Sequence, residues 1–157
     1  GTGRFGTGAN MAFRRSFLEA AGGFDPWLDV GTPANGGGDL EMFFRALKSG
    51  GSLVYEPAAI VRHRHRREMP ALEAQIANNG VGFYAYLVRT ARAYPSERGA
   101  ILRLGVWWLW WWNIRRLLLS LVRPPAVPRR LMLAELRGSL AGLRRYRGEA
   151  PAAGGRS

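Results

Sequence analysis

Residues 36–66, GGGDLEMFFRALKSGGSLVYEPAAIVRHRHR, read as one helix followed by two extended runs. In the helix, Leu40, Phe43, Phe44 and Leu47 fall at i, i+3, i+4 and i+7, which is one apolar face. Asp39 stands at its start, where a carboxylate accepts from free backbone N–H groups. Glu41 and Arg45 are spaced to pair at i, i+4. Lys48 and Gly50-Gly51 close the helix. SLVYE then reads as a strand, Pro57 breaks it, and AAIVRHRHR reads as a second extended run. A helix cap accounts for Asp39. It does not account for three glycines before it.

Upstream, NMAF reads as a short extended run, Asn10 to Phe13. In RRSFLEAAGGFD, Ser16 and Glu19 fit a capping box and Gly22-Gly23 a helix stop, predicting a helix of about two turns. Asp25 reads as a brace for the glycine- and proline-rich loop that leads to Trp27. Short helices alternating with extended runs predict an α/β class for residues 1–67.

The order of these pieces resembles a known family. GANMAFRRSFLEAAGGFD followed by residues 36–66 is similar to the carboxyl-terminal half of the catalytic domain of family 2 glycosyltransferases, which have the GT-A fold. The resemblance covers about 60 residues, Gly6 to Arg66. It implies a partial GT-A domain over residues 1–67. It also implies inverting transfer of a sugar from a nucleotide-sugar donor to a glycan or lipid-linked acceptor, with Asp39 as general base. In the family the motif is usually Gly-Glu-Asp; here Gly38 stands where the Glu would be. The family's nucleotide-binding strands and Asp-x-Asp metal motif are not in this sequence, so the chain reads as a fragment, inactive alone.

Asn10 and Glu41 are implied to lie near substrate, and Trp27 is a loop tryptophan able to stack on a sugar ring. His63 and His65, at i, i+2 on an extended run, share a face among Arg62, Arg64, Arg66 and Arg67. The resemblance implies that His63 helps hold a divalent metal, Mn2+ or Mg2+, completed by residues outside this chain. Each of these residues also has an ordinary structural reading: a turn asparagine, a buried tryptophan, surface histidines.

The whole chain has 157 residues and a net charge of +12, with Lys48 its only lysine. Such a balance suggests an anionic partner. With no cysteine, disulfides and thiolate metal sites are excluded. No N-terminal segment looks like a signal peptide.

Residues 68–147 read as mainly α-helical, basic and tryptophan-rich, and 148–157 as a disordered tail. In the first predicted helix, Asn78-Asn79-Gly80 interrupts the pattern and predicts a kink. Five tryptophans fall within residues 107–112, in an uncharged run, Leu104 to Ile114, of eleven residues. That is well short of the ~20 needed to span a bilayer. Asn113, Arg116, Ser120 and Arg123 form one polar stripe on a helix whose other faces are Trp and Leu. Such a helix suits the membrane interface, predicting attachment at the cytoplasmic face of the cell membrane through residues 101–123. Packing of this helix on the catalytic domain is the plainer alternative. A non-catalytic membrane-surface scaffold, or a basic nucleic-acid-binding module, would also suit the second half. No nucleic-acid motif accompanies the arginines, and neither alternative explains the Asp39 loop.

Overall fold

The computed structural model describes residues 8–62 and 68–148. Among them lie helices α1 (Arg15–Ala21), α2 (Gly38–Lys48), α3 (Met69–Ala93), α4 (Arg98–Trp108), α5 (Arg115–Val122) and α6 (Arg129–Gly142). A π-helical stretch, Leu109–Ile114, joins α4 to α5, and 3-10 turns occupy Pro26–Leu28 and Pro95–Glu97.

The α/β expectation is overturned. Among the described residues there is no strand and no sheet, so the architecture is all-helical rather than a partial GT-A domain. SLVYE and the residues from Ala59 to Arg62 adopt no regular structure, and Val54, Tyr55, Ile60 and Val61 are exposed. The physical reason is that a strand is not a local structure. Its donors and acceptors need a neighbouring segment in register, and even a lone pair of strands is marginal in water. These runs have β-forming residues but no ladder partner among the described residues. NMAF does not pair with them either.

Helix ends follow local chemistry more closely. Gly22 and Gly23 both take left-handed conformations, φ 77° and 76°, and the Gly23 N–H returns to the Leu18 carbonyl at 3.0 Å. This is the predicted stop of α1. The predicted capping box does not form. The helix starts after Arg14 with no side-chain cap, and Glu19 instead pairs with Arg15 at 2.8 Å. In α2 the buried side is Glu41, Met42, Phe43 and Ala46, while Leu47 is 40% exposed. The inward face is rotated from the expected apolar one because Glu41 has buried cationic partners.

α3 is the central element. It runs unbroken through Asn78-Asn79-Gly80, where a kink was expected. Gly80 serves close packing instead. A Cβ on Gly80 would lie 2.6 Å from the Glu135 carbonyl oxygen of α6. A Cβ on Gly138 would lie 2.0 Å from the Ala77 oxygen, and one on Gly142 2.4 Å from the Val81 oxygen. Gly138 and Gly142, four residues apart, share one face of α6. The two helices therefore touch backbone to backbone, which side chains at these positions would prevent.

Two of the three glycines before Asp39, Gly36 and Gly37, have the same explanation; a Cβ on Gly38 would meet nothing nearer than 3.6 Å. Gly37, at φ 97°, caps α2, and a Cβ on it would lie 2.4 Å from the Gly82 oxygen of α3. A Cβ on Gly82 would lie 2.8 Å from the Gly36 carbonyl carbon. Glycine is needed here for both the left-handed turn and the contact. The core then fills around α3. Leu28, Ala34, Ala85 and Tyr146 form one cluster, and Tyr84, Tyr86, Leu87 and Ile101 a second.

Candidate functional site

The glycine contacts place the start of α2 against α3, with Gly38 and Glu41 of its first turn buried and Asp39 partly exposed. Gly37 is the N-cap, so Asp39 lies inside the first turn. It is half-buried, and its Oδ1 accepts from the Leu40 N–H at 2.8 Å. Its Oδ2 accepts from the Gly8 N–H, also at 2.8 Å, across 31 residues of sequence. Among the described residues no cation pairs with it.

Two residues after Gly8, the Asn10 Nδ2 donates to the Ala59 carbonyl at 2.6 Å. The Gly-Ala-Asn segment thus bridges Asp39 to the run that leads toward His63. His63 and His65 lie outside the described residues. Trp27 sits in the 3-10 turn of Pro26–Leu28, with its N–H donating to the Asp25 Oδ1 at 3.0 Å. The turn packs on the start of α2: the Leu28 carbonyl oxygen lies 3.6 Å from where a Cβ on Gly38 would be. The Trp27 indole is 45% exposed. Gly8, two residues before Asn10, and Leu28, next to Trp27, therefore both touch the start of α2, and Asn10 and Trp27 are exposed while Asp39 is half-buried.

Glu41 is placed differently. It points inward and is 0% exposed. Its Oε2 meets the Arg45 Nη2 at 2.7 Å and its Oε1 the Arg89 Nη1 at 2.6 Å. A substrate group reaching Glu41 would have to displace one of these guanidiniums. Arg89 also donates from Nε to the Asp25 Oδ2 at 3.2 Å, and the Tyr146 hydroxyl donates to the same oxygen at 2.8 Å. Arg45 donates further to the carbonyls of Ala21 and Gly23, both at 2.6 Å. Two carboxylates and two guanidiniums are thus matched inside the protein, as buried charge requires.

Burial raises the pKa of Glu41 above its ordinary 4.5, and the nearby guanidiniums of Arg89 and Arg45 oppose that rise without cancelling it. Burial, reinforced by the hydrogen bond to Asp25, pushes the Tyr146 phenol up to about 12. It therefore remains a donor to Asp25 throughout the neutral range.

Arg89 and Tyr146 were not anticipated from the sequence. For Arg89 a signal existed: it is the first charged residue after Glu73, inside an otherwise uncharged stretch of α3. An isolated charge in such a run calls for a buried partner. Nothing local marks Tyr146, which reaches Asp25 across 121 residues.

Among the described residues no three His, Asp or Glu side chains gather as a metal site. Compared with family models, curated proteins and solved structures, the chain has no significant match.

Proposed function

We propose that this chain contributes the acceptor side of a sugar transferase, with Asp39 as the general base. The donor would be a nucleotide sugar and the acceptor a hydroxyl of a glycan or lipid-linked saccharide. The proposal rests on the order of the motifs and on the state of one carboxylate, not on a GT-A sheet.

What supports it is Asp39 itself. Asp25 and Glu41 are buried and neutralised by Arg89 and Arg45. Asp39 keeps a partly exposed carboxylate with no cation on it among the described residues. Among the described residues its second oxygen is tied only to the Gly8 N–H, at the edge of the segment that carries Asn10. A carboxylate with no cation across it can turn an oxygen toward an acceptor hydroxyl, which a proton acceptor must do. In the transfer step an acceptor oxygen bonds to the anomeric carbon, the bond from that carbon to the diphosphate oxygen breaks, and the hydroxyl proton passes to Asp39. Asn10 and Trp27 would position the acceptor, the first by hydrogen bond and the second by stacking. Arg45 and Arg89, through Glu41, would hold α2 in place so that Asp39 keeps its aim.

The test is Asp39→Asn in the full-length protein, assayed with a panel of nucleotide sugars. Asparagine keeps the shape and cannot take the proton. Transfer should fall ~10²–10⁴-fold, the range for losing a general base. Transfer at the unsubstituted rate would remove Asp39 from the chemistry.

A further inference from the structure

The helical run from Arg98 to Val122 has its polarity turned inside out. Asn113 and Ser120, the least charged members of the polar stripe, are each 3% exposed and face the protein. Arg129 holds the Ser120 carbonyl from the start of α6. Positions Gly105, Leu109, Asn113 and Leu117 recur every four residues along the inner side. The wider turns of the π-helical stretch Leu109–Ile114 keep that spacing on one face. The outer side carries what a soluble surface avoids. Leu102, Val106 and Leu121 are 64–68% exposed, and Trp107, Trp110 and Trp111 are 46–53% exposed. Leu102, Arg103, Val106, Trp107 and Trp110 line a shallow groove of about 440 Å³. Trp108 turns in, its ring 4.9 Å from that of Phe83, and Trp112 at the edge donates its indole N–H to Glu135 of α6 at 2.9 Å.

Charge selects the occupant of this face. Between Glu97 and Glu135 there are seven arginines and no acidic residue. Arg103 lines the groove itself, and Arg123, Arg129 and Arg130 are exposed at the end of the run and the start of α6. Arg115 and Arg116 lie over the Trp111 and Trp112 rings, each 4.3 Å from the ring centre, which keeps cations at the edge of the aromatic surface. Exposed tryptophans beside arginines, on a helix whose polar side is turned into the protein, match the headgroup boundary of an anionic bilayer. Among the described residues no helix is long and apolar enough to cross a membrane. We infer that Arg98–Val122 lies flat in the interface of an anionic lipid bilayer, its tryptophan side down and its Asn113–Ser120 side against α6. This inference does not depend on the sugar-transfer reading.

The test uses the unsubstituted protein with phosphatidylcholine vesicles, with and without phosphatidylglycerol. Co-sedimentation is measured, together with quenching of tryptophan fluorescence by brominated acyl chains. Binding should require the anionic lipid, weaken with salt and bring the tryptophans within reach of the bromines. Trp107→Ser/Trp110→Ser should weaken it by about tenfold or more, and each of Arg103→Gln and Arg123→Gln by about fivefold. All these side chains are exposed, and a thermal melt of each variant confirms that it folds. Equal binding to both vesicle types, no bromine quenching, or binding untouched by the tryptophan pair would each overturn the inference. So would a dimer in vesicle-free buffer that the tryptophan pair dissociates, since the face would then belong to a second copy of the chain. Loss of vesicle binding leaves sugar transfer to a soluble acceptor unchanged, so the two readings fail separately.

Discussion

Inside this protein, Arg89 and Glu41 are buried at 1% and 0% exposure; outside, Trp110 is 53% exposed. The usual placement of charge and aromatic surface is reversed in both regions, and the difference between them lies in how each is balanced. The buried charges are matched within the chain, Arg89 and Arg45 against Glu41 and Asp25, with Tyr146 completing Asp25. The tryptophan face is matched only at its edge: Trp112 donates to Glu135 of α6 at 2.9 Å and guanidiniums lie over Trp111 and Trp112, while Trp107 and Trp110 stay on the outer side. A balanced interior network acts as a brace. An unbalanced exterior one points to something outside the molecule. The brace occupies Glu41 and Asp25, which is why the proposed base is Asp39 rather than its buried neighbours.

The largest expected effect breaks the interior side of this comparison. Arg89→Met strands two carboxylates in the core and should cost ~3–5 kcal/mol of stability, measured by urea unfolding. Adding Glu41→Gln and Asp25→Asn to it should recover most of that loss, because the penalty comes from unpaired charge. A triple variant no more stable than the single one would mean that Arg89 acts through packing alone.

Next comes Gly138→Ala. Its Cβ would fall 2.0 Å from the Ala77 oxygen, so α3 and α6 must separate. Overpacking of this kind costs ~1–3 kcal/mol despite alanine's better helix propensity. A melt unshifted or raised would show that the crossing has slack.

A smaller effect is read in pH. The folded-state pKa of Glu41 is raised, chiefly by burial. The folded state therefore binds this proton more tightly than the unfolded chain does. The resulting stability is fully present below pH 4.5, the ordinary value, and is lost as pH rises through the raised one. Glu41→Gln cannot ionise and should flatten that part of the stability–pH curve. An unchanged slope would place the titration on another group.

The smallest effect sharpens the contrast. Trp110→Ser should shift stability by no more than ~0.5 kcal/mol, since the indole is largely outside the fold. A loss comparable to that of Arg89→Met would mean that the tryptophan face supports the core.

What could be read in the sequence was what neighbours along the chain decide. The i, i+4 spacing of Glu41 and Arg45, the glycine stop of α1 and the body of α2 all appear in the structure. Apart from the capping box of α1, where Glu19 pairs with Arg15 instead, the errors share one cause: each concerned a partner distant in sequence. Val54, Tyr55, Ile60 and Val61 favour strands, yet no neighbouring segment pairs with them among the described residues. Gly80 looked like a break in α3 because the backbone of α6 that it touches lies more than fifty residues away. Asn113 and Ser120 formed a visible stripe, but periodicity alone does not say which side of a helix the protein occupies. At the candidate site, Asp39 and Asn10 stood out by type and motif. The Gly8 and Ala59 contacts that bring them to one end of α2 did not.

The most direct test of the central claim sets Asp39→Asn beside Glu41→Gln in the full-length protein, with sugar transfer and thermal melting recorded on both. The account predicts a dissociation. Asp39→Asn should lose transfer ~10²–10⁴-fold while melting as the unsubstituted protein does. Glu41→Gln should shift the melt and its pH dependence, and should lower transfer only to the extent that α2 loosens. Near-normal transfer by Asp39→Asn, or a loss of transfer in Glu41→Gln equal to it with the fold intact, would contradict the assignment of the base.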